Sequence, residues 1–389
     1  MDWHRQVEEH LASYPPEPGA GFRPERIIVT RGATATPGRR AFVERLCAAF
    51  PAAERIEAPG RTHMQLGGLL PRGDAARRET GRRTLVVGTL GSPLRLSQEE
   101  NICCPNYLHF SPTAFCTYQC VYCYLAGSCS TVVAPVAKVF VNLEDTLQAI
   151  ARRAGAREKT NVEYSGAPMG FYVGKLQDAL SLDPLTGFSR VLVPFFAEHA
   201  TARLVMLTKS DAVGNLLGLD HLGHTVVSWS VNPEAVCREF EWGAPPLSRR
   251  LDAARQCQNA GYPVRFLIMP MLPVEGWREH YAGLVEAIFA ATRPERITLA
   301  GICSYSTALG LTARALGPDN LITRHIRRER SADGRRRFPR ELRAELYRHV
   351  IGEVRRHDSQ MPLGLCLEEA EVWHACGLDP AEQTCNCMW

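Results

Sequence analysis

The 389-residue chain has no uninterrupted apolar run approaching the roughly 20 residues that a membrane helix needs, so no spanning segment is expected. Its opening stretch, MDWHRQVEEHLASYPPEPG, lacks a basic segment followed by an apolar one, and no secretory signal is read there. A cytoplasmic, reducing location is therefore expected. Fourteen cysteines are then not a disulfide framework, and metal binding, redox chemistry or burial must account for them. Charge of one sign is also scarce. A net +4 permits an anionic substrate, but nucleic acid would require the basic residues to be clustered. No internal repeat is found. Against these absences, 45% hydrophobic residues suffice for a large core.

Residues 1–25 read as a loosely attached lead. RIIVT (26–30) predicts a strand, GRRAFVERLCAAF (38–50) an amphipathic helix, residues 59–82 a loop, and RTLVVGTL (83–90) and NYLHFSP (106–112) further strands. Strand-like and helical runs then alternate: KVFVNL with EDTLQAIARRAG, NVEYSG with KLQDALSL, ARLVMLTKSD with VGNLLGL, HTVVSWSVN with PLSRRLDAARQCQNAG, PVRFLIMPMLP with HYAGLVEAIFAAT, then RITLAGIC. About six repeats of strand then helix imply an α/β fold with a parallel sheet and crossover helices. A full barrel, an open partial barrel or a doubly wound sheet all fit. Residues 324–340, RHIRRERSADGRRRFPR, carry eight arginines, and a helix, ELRAELYRHVIGEVRRH, follows.

Cys116, Cys120 and Cys123 stand at spacings of four and three within CTYQCVYCYLAG. Thiolates are soft ligands that select zinc or iron–sulfur clusters. A zinc site takes four ligands, usually from two separated pairs, and no His lies near; Cys129 is the nearest fourth candidate. Three thiols suit a four-iron cluster that leaves one iron open to a small molecule.

CxxxCxxC with an aromatic before the last Cys resembles the signature of the radical S-adenosylmethionine superfamily. The segments RTLVVG, NYLHF, CVYCYL, LTK, SVN, RRLDAARQCQNAGYPV and PMLPVEGW, in that order, are similar to spore photoproduct lyase and its relatives. The likeness spans roughly residues 26 to 350. It implies a partial (β/α)6-type barrel over 101–323, an N-terminal α/β extension over 1–100, and an Arg-rich segment, helix and Cys-rich segment over 324–389. It further implies a [4Fe-4S] cluster on Cys116, Cys120 and Cys123, at the C-terminal ends of the strands. By the same resemblance, S-adenosyl-L-methionine is expected to bind the open iron and to be cleaved reductively to a 5′-deoxyadenosyl radical. Lys209 and Ser230 match positions that hold the methionine carboxylate, a group that needs a cation and donors, and Asn232 of the same SVN motif is a further cofactor-binding candidate; otherwise Lys209 is a strand-end lysine and Ser230 bonds its own backbone. Tyr122 would pack near the adenine, Tyr122 and Tyr124 match a radical relay, and Glu163 and Ser165 could meet the amine or ribose. An electron donor such as flavodoxin or ferredoxin is implied.

Two departures matter. The lyase carries a hydrogen-donating cysteine after its second barrel strand; the matching VEYSGAPMG (162–170) has none, Gly166 stands at that position, and no cysteine occurs between Cys129 and Cys237. The basic segment 324–340 has Phe338 as its only aromatic, whereas wedging a base out of a duplex favours apolar side chains. Arginines alone suit phosphates, unless the segment is a solvated loop. The tail adds Cys366, Cys376, Cys385 and Cys387, read as ligands of a second iron–sulfur cluster or of zinc, or as buried thiols; Cys103, Cys104 and Cys303 are further contributors if one tail residue is not a ligand.

The leading expectation is a radical enzyme acting on a nucleotide-like or phosphorylated small molecule, with sulfur insertion from an auxiliary cluster as one use of the tail. Photolesion repair with a different hydrogen donor, Cys303 or Tyr124, is the second reading, with duplex DNA less expected as a partner. A non-catalytic metal-binding nucleic-acid module is the third.

Overall fold

Seven parallel strands wound almost in chain order build the larger of the two main sheets among the described residues, and the crossovers carry the helices that cover it. The computed structural model describes residues 2–19, 21–127, 135–155, 168–326, 330–382 and 384–389. In chain order the strands are β1 (Arg26–Thr30), β2 (Glu54–Ala58), β3 (Thr84–Gly88), β4 (Leu94–Ser97), β5 (Tyr107–Phe110), β6 (Thr113–Ala114), β7 (Gln119–Cys120) and β8 (Ala137–Phe140). They continue as β9 (Met169–Val173), β10 (Ala202–Thr208), β11 (Thr225–Val231), β12 (Glu241–Trp242), β13 (Val264–Met271), β14 (Arg296–Gly301), β15 (Cys303–Ser304), β16 (Arg336–Arg337) and β17 (Leu363–Leu365).

The larger sheet has the order β17-β14-β13-β11-β10-β9-β5-β4, parallel throughout except for the antiparallel edge strand β4. It is open: β4 and β17 are its two edges. Alternation along each strand sorts side chains to the two faces. On β11, Val227, Trp229 and Val231 join the main core under the helices, while Val226, Ser228 and Ser230 take the opposite, inner face. The smaller sheet, β2-β1-β3-β8-β6, draws β6 and β8 from beyond residue 101, and the larger sheet takes β4 and β17 from outside 101–323. Strands of the three expected segments thus interleave.

Most predicted strands and helices are present. The exceptions have local causes. The lead is not loose: Asp2 caps a helix over Trp3–Ser13, accepting from the Arg5 N–H at 3.2 Å, and that helix buries Val7 and Leu11 against the helix Pro37–Ala49. Within the expected loop 59–82, Asp74–Arg82 is helical. KLQDALSL is not a helix, because the buried Asp178 carboxylate accepts from the N–H groups of Leu180 (3.0 Å) and Ser181 (2.9 Å) and ties the chain into turns. VGNLLGL likewise forms turns. The predicted strand NVEYSG lies outside the described residues, as do Glu163, Ser165, Gly166 and Cys129, and the barrel strand at that place is β9.

Candidate active site

The signature loop leaves β6 through Phe115, a non-glycine residue in the left-handed region (φ 62°), which turns the chain toward the C-terminal ends of the parallel strands. Its N–H donates to Leu176 O at 2.9 Å, the hydrogen bond that holds this turn. The loop then pairs with a distant segment: β7 runs antiparallel to β12 with Cys120 opposite Glu241, and Val121 N–H donates to Phe240 O at 2.9 Å. Cys116, Cys120 and Cys123 line one cleft of about 550 Å³. Burial pushes the Cys116 thiol up, the Asp178 charge adding to it, and pushes Cys120 up to about 12 despite the Lys209 charge. Isolated thiolates are unfavourable there. A cation bound at the sulfurs would reverse that balance.

Behind the loop lies a buried polar cluster. Lys209, just past the end of β10, is positioned by its own N–H, which donates to Asp178 Oδ2 at 2.6 Å. Its Nζ donates to Ser230 Oγ at 2.7 Å and to Glu241 Oε1 at 3.1 Å and lies 6.0 Å from the Tyr122 ring centre. Asn232 Nδ2 donates to the same Glu241 oxygen at 3.0 Å, Tyr122 OH donates to it as well, and Arg250 pairs with the other oxygen at 2.5 Å. Burial alone would raise the Glu241 carboxyl; the Lys209 and Arg250 charges and the hydrogen bonds from Tyr122 and Asn232 hold it well below the usual carboxylate range. Pro270 cannot donate to the ladder, and register shifts between Ile268 and Met271 leave Met269 O to accept from Asn232 Nδ2 (3.0 Å) and Ser230 Oγ (3.3 Å). The expected residues Lys209, Ser230, Asn232 and Tyr122 are brought together. The expectation omitted Glu241, their common partner, because it sits in no motif and reaches the site only through the β7–β12 pairing.

On the other side of the loop, Tyr124 OH donates to Lys175 O at 3.0 Å, and Lys175 Nζ pairs with Glu99 at 2.8 Å. The other Glu99 oxygen takes Arg335 at 2.7 Å. Arg335 and Arg337 both bind Asp333, and Arg340 pairs with Glu369, so these arginines of the basic segment have carboxylate partners rather than open guanidinium faces. Phe338 is fully buried and offers no wedge. Beside the loop, a second cleft of about 1080 Å³ combines Phe110, Phe115 and Phe140 with His63, Arg95 and Lys138. Burial brings the Lys138 ammonium down to about 8.

The tail corrects one expected ligand. Cys376 packs in the main core and its thiol faces Ala344 O at 3.9 Å; the six-residue helix Ala370–Ala375 carries it away from the other tail thiols. Cys385 and Cys387 lie in one buried cluster on the tail, which is held to β17 beside Cys366 by Thr384 Oγ1 donating to Leu363 O, and Cys103 N–H, donating to Glu368 O at 2.8 Å, brings Cys104 to the same place.

A family model described as spore photoproduct lyase matches residues 22–300. The chain belongs to the spore photoproduct lyase family. Spore photoproduct lyases of Bacillus subtilis and Clostridium acetobutylicum are 29% identical over 236 residues and 26% over 207. These alignments cover 60% and 53% of the chain and only 61% and 57% of those proteins. A solved spore photoproduct lyase complexed with dinucleoside spore photoproduct superposes with TM-score 0.74 at 21% identity, over 89% of this chain and 98% of that one. A variant solved with bound AdoMet and the same dinucleoside gives the same values, and this likeness carries the fold.

The side chains present fit the family's cofactors. Three thiols on one wall suit a cluster with an open iron. The Lys209 ammonium and Ser230 hydroxyl suit a carboxylate, and the buried Asn232 Oδ1, which has no hydrogen-bond partner, is an acceptor suited to an ammonium.

Proposed function

We propose that the chain is a radical S-adenosylmethionine enzyme of the lyase type whose substrate is a dinucleoside photoproduct or a closely related nucleotide. The observation that carries the proposal is the gathering of Lys209, Ser230, Asn232 and Tyr122 around Glu241, directly behind the three signature thiols. When bound, the cluster and S-adenosylmethionine supply reductive cleavage and a hydrogen-abstracting radical. The chain's own groups do the positioning. Lys209 and Ser230 orient the methionine carboxylate, Asn232 Oδ1 receives the ammonium, and Glu241 holds the Lys209 side chain in place. The neighbouring cleft supplies aromatic faces for bases and the cations Arg95 and Lys138 for a phosphate. A flavodoxin- or ferredoxin-like carrier is the proposed reductant.

The family's donor position lacks a cysteine, so hydrogen return is assigned to Cys303. It follows β14 and precedes the helix Ser306–Leu316, which packs against the Tyr124–Gly127 turn of the signature loop. A second reading, sulfur insertion into a nucleoside sugar, is favoured by the gathered tail thiols alone.

The test is anaerobic incubation of the reconstituted protein with reductant, S-adenosylmethionine and dinucleoside spore photoproduct. The expected result is 5′-deoxyadenosine together with the undamaged dinucleoside, and a Cys303→Ala variant that forms the first but not the second. Turnover confined to another nucleotide, or a product carrying extra sulfur, overturns the lyase assignment.

A further inference from the structure

The open sheet leaves a seam between its two edges, and four thiols meet on it. Cys104 lies on the segment entering β5, next to the edge strand β4; Cys366 follows β17, the other edge. A backbone contact draws the two sides together: Cys103 N–H donates to Glu368 O at 2.8 Å. Cys385 and Cys387 arrive from the tail, buried to 1% and 9% exposure beside Tyr172, Val205 and Val226 of the inner face.

Ordinary core thiols do not need one another. Cys376 and Cys257 in the main core show the usual pattern, each pushed up by burial. At the seam the four cysteines stand on three adjoining segments, the tail being held to β17 by Thr384 Oγ1, which donates to Leu363 O next to the Gly364–Leu365–Cys366 run. Between the two tail cysteines, Asn386 is 3% exposed and both its side-chain polar atoms lack partners. Cationic charge is close at hand, since Arg296 donates to Cys385 O at 2.8 Å and Arg265 donates to Met388 O.

We propose that Cys104, Cys366, Cys385 and Cys387 form a tetrathiolate centre for a thiophilic metal, clasping the seam of the barrel. Among the described residues no group of His, Cys, Asp or Glu already stands around a metal-sized opening, and this holds for the signature thiols as well as for these four. Tetrathiolate chemistry serves a single zinc ion or an iron–sulfur cluster equally, and metal analysis separates the two. The centre does not depend on the lyase reading, because it involves none of the residues assigned to that reading.

The experiment uses the full chain with Cys116, Cys120 and Cys123 all changed to Ala, so that only the seam can load. Iron, sulfide and zinc are measured after anaerobic purification. About one zinc per chain, or about four irons with matching sulfide, is expected. Adding Cys104→Ser should bring the metal to background, while adding Cys376→Ser leaves it unchanged. Metal-free protein with a cooperative melt overturns the proposal, as does equal loss from Cys376→Ser. If Cys104→Ser does not fold, Co²⁺ titration of the triple variant decides. Intense thiolate-to-cobalt charge-transfer absorption saturating at one equivalent supports the centre, and its absence overturns it.

Discussion

Glu241 shows how one buried side chain can set the charge of a whole site. Taking a carboxylate out of water is costly, and here Lys209 and Arg250 and two neutral donors offset that cost, so removing either cation would strand the other charges. His109 is the converse case, a titratable ring with no such support. It is 6% exposed, its Nδ1 has no partner, and burial with the Lys175 and Arg95 charges brings it down to about 4. The folded state therefore takes up the His109 proton less readily than the unfolded chain does. Its contribution is intact above the ordinary histidine value near 6.5 and is lost as pH falls from there toward 4. Between pH 7 and pH 5 the wild type should lose roughly 2 kcal/mol more stability than His109→Gln, at about 1.4 kcal/mol per pKa unit. Urea unfolding of both proteins at the two pH values measures this, and equal losses would refute it.

At the scale of elements, Asp178 joins two segments that carry the site. It accepts from Leu180 and Ser181 on its own turn and from Thr208 Oγ1 and Lys209 N–H at the end of β10, both at 2.6 Å. Asp178→Ala leaves four donors without their acceptor and should cost about 3 kcal/mol. Lys209 loses its anchor at the same time, so S-adenosylmethionine binding, measured by equilibrium dialysis on still-folded protein, should weaken by about tenfold, which is a loss near 1.4 kcal/mol. An unchanged affinity would show that Lys209 is held by other means. The same residue explains where the sequence was and was not legible. Parallel strands declare themselves as apolar runs, so β10, β11, β13 and β14 were readable. KLQDALSL has helical spacing of apolar residues, yet one buried carboxylate captures the backbone N–H groups a helix would use. Lys209, Ser230 and Asn232 were legible through short motifs. Glu241, placed by a two-residue strand pairing with β7, was not. For the tail, sequence left Cys103, Cys104 and Cys303 as equal substitutes for a missing ligand, and only the closing of the two sheet edges distinguishes Cys104.

At the scale of the whole molecule, residues 384–389 occupy the mouth of the barrel opposite the signature loop. Arg203, Arg265 and Arg296, all at the starts of their strands, meet this segment: the first two lie 5.5 and 5.9 Å from the Trp389 ring centre, and the third donates to Cys385 O. Gly364 in β17 leaves just enough room, since a Cβ there would stand 2.3 Å from Thr384 O. Gly364→Ala should therefore lift the tail, lowering stability by about 1–3 kcal/mol and red-shifting tryptophan emission as Trp389 gains water. A variant with wild-type melting and emission would show that the tail does not bear on the barrel.

The order in which a ribosome delivers the chain gives this plug a further consequence. Every strand of the barrel is synthesised before residues 384–389 leave the exit tunnel, so the inner face facing them must wait, uncapped, until translation has passed them. A nascent chain stalled short of that point holds all its strands but not the stopper, and it is at that stage, rather than in the finished molecule, that chaperones would find their most exposed client.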